Sequence, residues 1–197
     1  MNISPLKAGL IIMPLIGVVA VLYVVFSAMD SGGNGSLDSY ATGHMSAFRT
    51  EEAPRPQPTV VYTGADGQEI RLSDYRGKVI LVNFWATWCA PCVEEMPALS
   101  NLQTELGGDT FEVVTISMDR RMEDAANFLT NMQLENLPLI HDSTFGSMAQ
   151  TGAIGLPMSI LYASDGREIG RLPAPAEWDS EDAIRLIEAA IRFHGEN

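Results

Sequence analysis

The pattern of apolar and polar residues divides the chain into three parts. Residues 8–29 ("AGLIIMPLIGVVAVLYVVFSAM") form an apolar run without a charged side chain. Residues 30–58 are rich first in Gly and Ser and then in Pro, and their apolar residues follow neither the strand nor the helix period. From Thr59 onward both periods occur. The pattern therefore predicts a hydrophobic N-terminal segment, a flexible linker and one folded domain over residues 59–197.

Strands and helices are both predicted in the folded domain. A hairpin with its turn near Asp66 and Gly67 comes first, followed by a central strand, residues 79–84, that is apolar on both faces except at Asn83. After it we expect a helix ending near Leu106, a strand from Phe111 to about Ser117 and a helix around 125–132. A short strand near 139–140 and a helical turn at 145–151 follow. The last elements are a strand in "GLPMSILY", a strand near 169–172 and a helix capped by Asp179 or Ser180. This order predicts an α/β fold with a mixed central sheet flanked by helices.

The apolar run of residues 8–29 has the length of a membrane span, since a helix needs about 20 apolar residues to cross the bilayer core. Lys7 precedes the run and Asp30 follows it, which favours a cytoplasmic N-terminus, residues 1–7. A cleaved signal peptide is the alternative, but its apolar core is only about 7–15 residues long. We therefore expect a single-pass protein of the inner membrane whose C-terminal domain lies in the periplasm.

The amino-acid composition of the chain limits the kinds of molecule that it can bind. Lys and Arg total 12 against 25 Asp and Glu, so the formal net charge is −13. Nucleic acid is excluded because its binding needs basic residues that displace counterions from phosphates. The acidity indicates either solubility or an acidic docking face for a basic partner. His44, His141 and His194 do not have the spacing of metal ligands, and we expect neither a metal nor another cofactor.

The chain has two cysteines, Cys89 and Cys92, in "WATWCAPC". A purely structural disulfide between them would close too short a loop to stabilise the fold much. A pair of thiolates could bind Cu(I), because soft sulfur ligands select that ion. The third interpretation is a redox pair that exchanges disulfides with other proteins.

The predicted position of the two cysteines favours the redox interpretation. Cys89 follows the central strand and Cys92 lies in the first turn of the next helix, where free N–H groups and the helix dipole favour a thiolate at Cys89. Pro91 suits this first turn because its missing N–H costs nothing there. Cys89 is therefore predicted to attack the substrate, and Cys92 to resolve the mixed disulfide.

At this point the sequence resembles a known family. "VNFWATWCAPC", together with Pro97 and the downstream "GLPMS", resembles the thioredoxin superfamily. More narrowly, "LSDYRGKVILVNFWATWCAPCVEEMPAL" and the later "PAPAEWDSEDAIRLI" resemble the TlpA-like thiol:disulfide oxidoreductases, which are anchored to a membrane. The resemblance implies a thioredoxin-like fold, here with an N-terminal β-hairpin extension, and a redox-active disulfide as the reacting group.

The resemblance also implies roles for residues around the cysteines. Pro157 falls where the superfamily has a cis proline, and the backbone of Leu156 would pair with the bound substrate chain. The residues expected to contact substrate are Trp88, Ala90, Pro91, Leu156 and Pro157. Met158 departs from the family pattern, because many relatives have Thr after this proline.

Glu95 is the third catalytic residue that the resemblance implies. In TlpA-like and cytochrome-maturation proteins a glutamate three residues after the second cysteine lies beneath the disulfide and transfers protons. Glu95 is one helical turn from Cys92, so both can share a face of the helix.

The predicted direction of electron flow is toward the substrate. Neither Ala90 nor Pro91 supplies a cation to stabilise a thiolate, and a less stabilised thiolate makes a stronger reductant. The expected partners are protein thiols and disulfides and a membrane electron donor, and the resemblance to TlpA-like proteins implies copper chaperones or cytochrome oxidase subunits among them. A reductase of apocytochrome c thiols is the first alternative, and a Cu(I)-binding module that uses the two cysteines and Met158 is the second.

Overall fold

A computed structural model of the protein describes residues 36–50, 53 and 55–195. Within these ranges no helix is long and apolar enough to cross a membrane. The predicted cytoplasmic segment (1–7) and the predicted span (8–29) both lie outside the described residues.

One eight-stranded mixed sheet organises the described chain. Its strands are β1 (Arg49–Thr50), β2 (Tyr62–Gly64), β3 (Glu69–Ile70), β4 (Val79–Trp85), β5 (Phe111–Ser117), β6 (Ile140–His141), β7 (Met158–Tyr162) and β8 (Glu168–Leu172). They lie in the order β1-β8-β7-β4-β5-β6-β2-β3. The pairs β4–β5 and β5–β6 are parallel and the other five are antiparallel. The predicted mixed sheet and the hairpin β2–β3 are confirmed.

Strand β4 is the centre of the sheet. It pairs with β5 from Val79 to Trp85 and with β7 from Ile80 to Phe84, so both of its edges are hydrogen-bonded. All seven of its side chains are buried, which agrees with a run that is apolar on both faces. Asn83 is the one polar side chain in the strand, and its burial requires hydrogen-bond partners.

Among the described residues four α-helices accompany the sheet: α1 (Ala90–Leu106), α2 (Met122–Asn131), α3 (Gly146–Thr151) and α4 (Glu181–His194). Helix α1 contacts β5 and α4, and α4 contacts β4. Of the two predicted caps of the last helix, Ser180 is the N-cap, because its Oγ accepts a hydrogen bond from the N–H of Ala183. Acidic residues in the first turn of α4 and basic residues in its last turn complement the helix dipole.

The predicted linker over residues 30–58 is wrong for residues 36–50, which pack on the domain. Residues Leu37–Tyr40 and Gly43–Met45 form short 3-10 helices, and β1 pairs with β8. The apolar side chains of Leu37, Met45 and Phe48 are buried. Their irregular spacing gives no periodic signal, because each enters the core from a different short element. The folded domain therefore includes residues well before the predicted boundary at Thr59.

Phe48 fits closely against the backbone of β8. A Cβ added at Gly170 would lie 2.2 Å from Phe48 Cζ, so a glycine in β8 provides the space that this ring occupies. The contact joins the N-terminal segment to the edge of the sheet.

We expect Phe48→Ala to lower the free energy of unfolding by about 3–5 kcal/mol, because it removes a buried aromatic ring and leaves a cavity. Urea unfolding measures the change. Val61→Ala, at an exposed apolar residue, is the control and should change stability by less than about 0.5 kcal/mol. Equal stabilities for the two variants would contradict the packing of residues 36–50.

Candidate redox site

The two cysteines lie where strand β4 passes into helix α1. The strand ends at Trp85, and the N–H of Cys89 donates to the carbonyl of Ala86 at 3.1 Å, which turns the chain toward the helix. Cys89 is the N-cap of α1, Cys92 lies in its first turn, and the two are joined by a disulfide. The Cys89 residue is 7% exposed whereas Cys92 is completely buried. Cys89 is therefore the sulfur that an incoming thiol or disulfide can reach.

Exposed residues surround this sulfur. Trp88 is 62% exposed, and the neighbouring Ala90 and Pro91 are exposed as well. A tryptophan at this exposure presents a large apolar face to solvent. The three predicted contact residues on this side of the disulfide are thus available to a substrate.

The other predicted contact residues lie at the same end of the sheet. The peptide bond between Leu156 and Pro157 is cis, as predicted. Met158 pairs with Phe84, so Pro157 directly precedes the stretch of β7 that pairs with the end of β4. The loop that leads to this proline carries Ile154, which is 99% exposed. That this loop contacts substrate remains a prediction.

Glu95 is held by three donors, one from the central strand and two from the segment before the last helix. Its Oε1 accepts from Asn83 Nδ2 at 2.8 Å. Its Oε2 accepts from the backbone N–H of Ala176 at 3.0 Å and from Trp178 Nε1 at 3.1 Å. Only 4% of the residue is exposed, and the Trp178 side chain is buried. The carboxyl of Glu95 is therefore fixed beneath the first turn of α1.

Burial dominates the protonation of this carboxyl. Removal from water raises the pKa of Glu95 from 4.5 to about 7, against the opposing hydrogen bonds from Asn83, Ala176 and Trp178, which favour the charged form. A carboxyl that titrates near neutral pH can both accept and return a proton there. Glu95 thus has the burial and the pKa of an acid-base group.

Asn83 continues the network into strand β7. Its Nδ2 also donates to Ser159 Oγ at 2.9 Å, which joins the two central strands by side chains as well as by backbone. Its Oδ1 is buried and has no hydrogen-bond partner among the described residues.

A second buried carboxylate holds the loop before Cys89. Asp119 Oδ1 accepts from Thr87 Oγ1 at 2.7 Å, and the N–H of Thr87 lies 3.2 Å from both carboxylate oxygens. Asp119 Oδ2 also accepts from Ser117 Oγ at 2.9 Å. This carboxylate therefore fixes the residue that immediately precedes Trp88.

Neither Asp119 nor Trp178 was assigned to the site from the sequence. For Asp119 a signal exists: it follows strand β5, which is parallel to β4, and the carboxyl ends of adjacent parallel strands meet at one edge of the sheet. Trp178 lies 83 residues after Glu95, and no local pattern relates the two.

A cleft of about 270 Å³ opens beside the first turn of α1, and Glu95 forms part of its wall. The other residues that line it are His44, Pro91, Glu94, Pro175, Ala176 and Glu177. In the part of the chain that the structure describes, no group of three or more His, Cys, Asp or Glu side chains is placed to hold a metal ion.

Comparison with known proteins agrees with this geometry. The model of the AhpC/TSA family matches residues 52–167, which is more than half of the 197 residues. The chain therefore belongs to the AhpC/TSA family.

Two relatives of the chain are named as thiol-disulfide oxidoreductases. The protein is 32% identical over 127 residues to the thiol-disulfide oxidoreductase ResA of Bacillus cereus, covering 64% of this chain and 73% of that protein. It is also 32% identical over 148 residues to ResA of Oceanobacillus iheyensis, covering 75% of this chain and 70% of that protein.

Solved structures give the same result. A protein of Chlorobium tepidum assigned as the thiol:disulfide interchange protein DsbE superimposes with a TM-score of 0.61 and 26% identity, covering 70% of this chain and 97% of that chain. The thioredoxin-like fold is thereby confirmed. This AhpC/TSA protein is a thiol-disulfide oxidoreductase, as predicted.

Glu95→Gln tests the protonation of the buried acid. Because the folded-state pKa of about 7 lies above the ordinary value of 4.5, the native state binds the proton more tightly than the unfolded chain does. The stability from Glu95 is therefore complete below about pH 4.5 and is lost as the pH rises to about 7. In urea unfolding from pH 4.5 to 8, we expect this loss to be on the order of 1–3 kcal/mol. Glu95→Gln should not show this loss of stability. If the free energy of unfolding changed with pH in the same way in both proteins, the raised pKa of Glu95 would be contradicted.

Asp119→Ala should weaken the loop before Cys89, because the donors on Thr87 and Ser117 lose their buried acceptor. We expect the free energy of unfolding to fall by about 2–4 kcal/mol and thiol-disulfide exchange to slow. Unfolding and exchange with a model dithiol measure the two effects. Asp124→Ala, at a half-exposed carboxylate, is the matched control and should change little; an equal loss in both variants would argue against the role of Asp119.

Proposed function

We propose that this protein is a membrane-anchored reductase of the periplasm, which transfers electrons from a Cys89–Cys92 dithiol to disulfides of other proteins. The buried carboxyl of Glu95 supports exchange through this dithiol more than any other observation, because it can take up the proton of the resolving thiol in one direction and return it in the other. A reductase must release a proton from its resolving thiol, and Glu95 is an acceptor that titrates near neutral pH, one helical turn from Cys92.

The charges near the dithiol favour reduction of the substrate. Glu94, Glu95 and Glu177 line the cleft beside Pro91. Negative charges disfavour a neighbouring thiolate, and a less stabilised thiolate gives a lower reduction potential. The oxidants of this superfamily instead owe their high potential to a very stable thiolate in the reduced form.

The proposed reaction has two steps. In the first, the Cys89 thiolate attacks one sulfur of the substrate disulfide, forms a mixed disulfide and releases the other substrate sulfur as a thiolate, which water protonates. In the second, the carboxylate of Glu95 takes the proton of the Cys92 thiol, and the resulting thiolate attacks Cys89 Sγ. The Cys89–Cys92 disulfide forms, and the second substrate sulfur leaves as a thiolate. Two electrons pass from the protein to the substrate.

Trp88, Ala90 and Pro91 present the exposed surface that a substrate would meet. The backbone before Pro157 would pair with the substrate chain on the other side of the sulfurs. The Cys89–Cys92 disulfide is the only cofactor that this exchange requires.

The anchor would keep the domain near its electron source. Residues 8–29 would span the inner membrane, with residues 1–7 in the cytoplasm and the folded domain in the periplasm. A membrane electron donor would then reduce the Cys89–Cys92 disulfide after each cycle.

The substrates that we favour are disulfide-bonded cysteines of copper chaperones or cytochrome oxidase subunits, which the reaction returns to thiols. Oxidised cysteines of apocytochrome c are the alternative substrate, and a Cu(I)-binding module is the alternative of another class. Copper titration followed by dialysis separates the last of these, since stoichiometric Cu(I) retained by the two cysteines would favour the binding module.

The equilibrium reduction potential of the disulfide tests the direction. We expect a value below about −200 mV in a thiol redox buffer, with Trp fluorescence as the signal. A value near −120 mV would make the protein an oxidant of exported thiols and would overturn the proposal.

Cys92→Ser tests the order of attack and the substrate together. Without the resolving thiol, the mixed disulfide at Cys89 should accumulate and be isolated with its partner by non-reducing electrophoresis. Cys89→Ser is the matched control and should trap nothing. Partners that are copper proteins support the favoured substrates, and apocytochromes support the alternative.

A further inference from the structure

The cleft beside α1 has a wall from a part of the chain outside the CxxC motif. His44, in the 3-10 helix Gly43–Met45, lines the cleft together with Pro175, Ala176 and Glu177. Its Nδ1 lies 3.4 Å from Glu177 Oε2. Residues 175–177 directly precede Trp178, and the N–H of Ala176 binds the carboxyl of Glu95. The N-terminal segment thus reaches the loop that holds the buried acid.

The turn Thr42–Met45 is fixed to helix α4 by one carboxylate. Asp182 accepts from Thr42 Oγ1 at 3.4 Å and from the backbone N–H of His44 at 3.3 Å. Gly43, between them, has φ = +53°, and a Cβ added there would lie 1.9 Å from Asp182 Oδ2. The left-handed backbone favours glycine at this position, and an added Cβ would displace the Asp182 carboxylate that holds the turn.

We propose that the turn Thr42–Met45 is a positioning element of the redox site, which forms the outer wall of the cleft and restricts the access of water to Glu95. The carboxyl lies on the cleft wall and is nevertheless almost completely buried, so the wall determines how much water reaches it. No direct contact between the turn and the reacting sulfurs is required.

The wall affects the reaction through the acidity of Glu95. Burial is the largest cause of the raised pKa of this carboxyl, and an open wall would hydrate the charged form. The other titratable groups that line the cleft are His44, Glu94 and Glu177. When the disulfide is reduced, the thiol of Cys92, one helical turn from Glu95 on α1, is a further titratable group nearby. This part of the inference rests on the proposed role of Glu95 as the acceptor of the Cys92 proton.

The test displaces the turn with one substitution. Asn adopts positive φ more readily than other side chains do, so Gly43→Asn adds the clash with Asp182 at little backbone strain. Gly67→Asn is the matched control, because Gly67 also has positive φ, at +75°, but nothing lies within 4 Å of an added Cβ. Both variants therefore place an asparagine at positive φ, but only Gly43→Asn brings its side chain against Asp182.

The readout is the titration of Glu95, followed in the full chain in detergent by the NMR shift of the Trp178 indole N–H, which donates to this carboxyl. We expect Gly43→Asn to lower the apparent pKa from about 7 toward the ordinary value of 4.5, and Gly67→Asn to leave it unchanged. An unchanged or raised pKa in Gly43→Asn would overturn the proposal.

Thr42→Val is a milder second variant, which removes one hydrogen bond to Asp182 and keeps the backbone. It should lower the apparent pKa of Glu95 by a smaller amount. If a folded Thr42→Val showed no change in this pKa, the proposal that the turn shields Glu95 from water would be contradicted. The rate of exchange in Glu95→Gln is measured separately. An unchanged rate there would reject the proton role of Glu95, whereas the titration of the Gly43 and Thr42 variants would still decide whether the turn shields the carboxyl.

Discussion

The hydrogen bonds of one buried carboxyl join the parts of this protein that must act together. Glu95 belongs to the helix that carries both cysteines, Asn83 to the central strand, and Ala176 and Trp178 to the segment before the last helix. A buried carboxylate without partners would cost several kcal/mol, so these donors are required wherever the group is charged. The three segments consequently have to keep their relative positions for the acid to exist in both protonation states.

The same arrangement separates the exposed residues that a substrate would contact from the buried groups that would transfer the proton. The outer layer consists of Trp88, the Cys89 sulfur and the exposed Ala90 and Pro91 beside them. The inner layer contains Cys92 and Glu95, which are buried. Asp119 supports the outer layer through Thr87, and Asn83 supports the inner one. Each layer thus has its own polar anchor on a strand or directly after one.

Most of the fold could be predicted from patterns among residues that are close together in the sequence. The apolar run of β4, the helix after the cysteines and the glycine of the hairpin turn all depend on neighbours in sequence, and the structure agrees with each. The CxxC context and the position of Glu95 on α1 also depend on short spacings. These features could be predicted because a strand or helix repeats its environment every two or about four residues.

Contacts between distant residues account for what the sequence did not reveal. Leu37 and Met45 are single apolar residues in a Gly- and Ser-rich stretch, and their partners lie on elements more than a hundred residues away. The hydrogen bond from Trp178 to Glu95 likewise joins residues that are far apart in sequence. Composition suggested a linker because it reports the average polarity of a segment, whereas packing depends on whether a few side chains find matching spaces.

The unpartnered oxygen of Asn83 has a consequence for the acid beside it. A carboxylate needs a donor, and the amide nitrogen supplies one; a protonated carboxyl needs an acceptor instead. Rotation of the amide by 180° would turn Oδ1 toward Glu95 and toward the hydroxyl of Ser159, which can donate as readily as it accepts. Either orientation of this neutral amide can therefore pair with Glu95, one with the charged form of the carboxyl and the other with its protonated form.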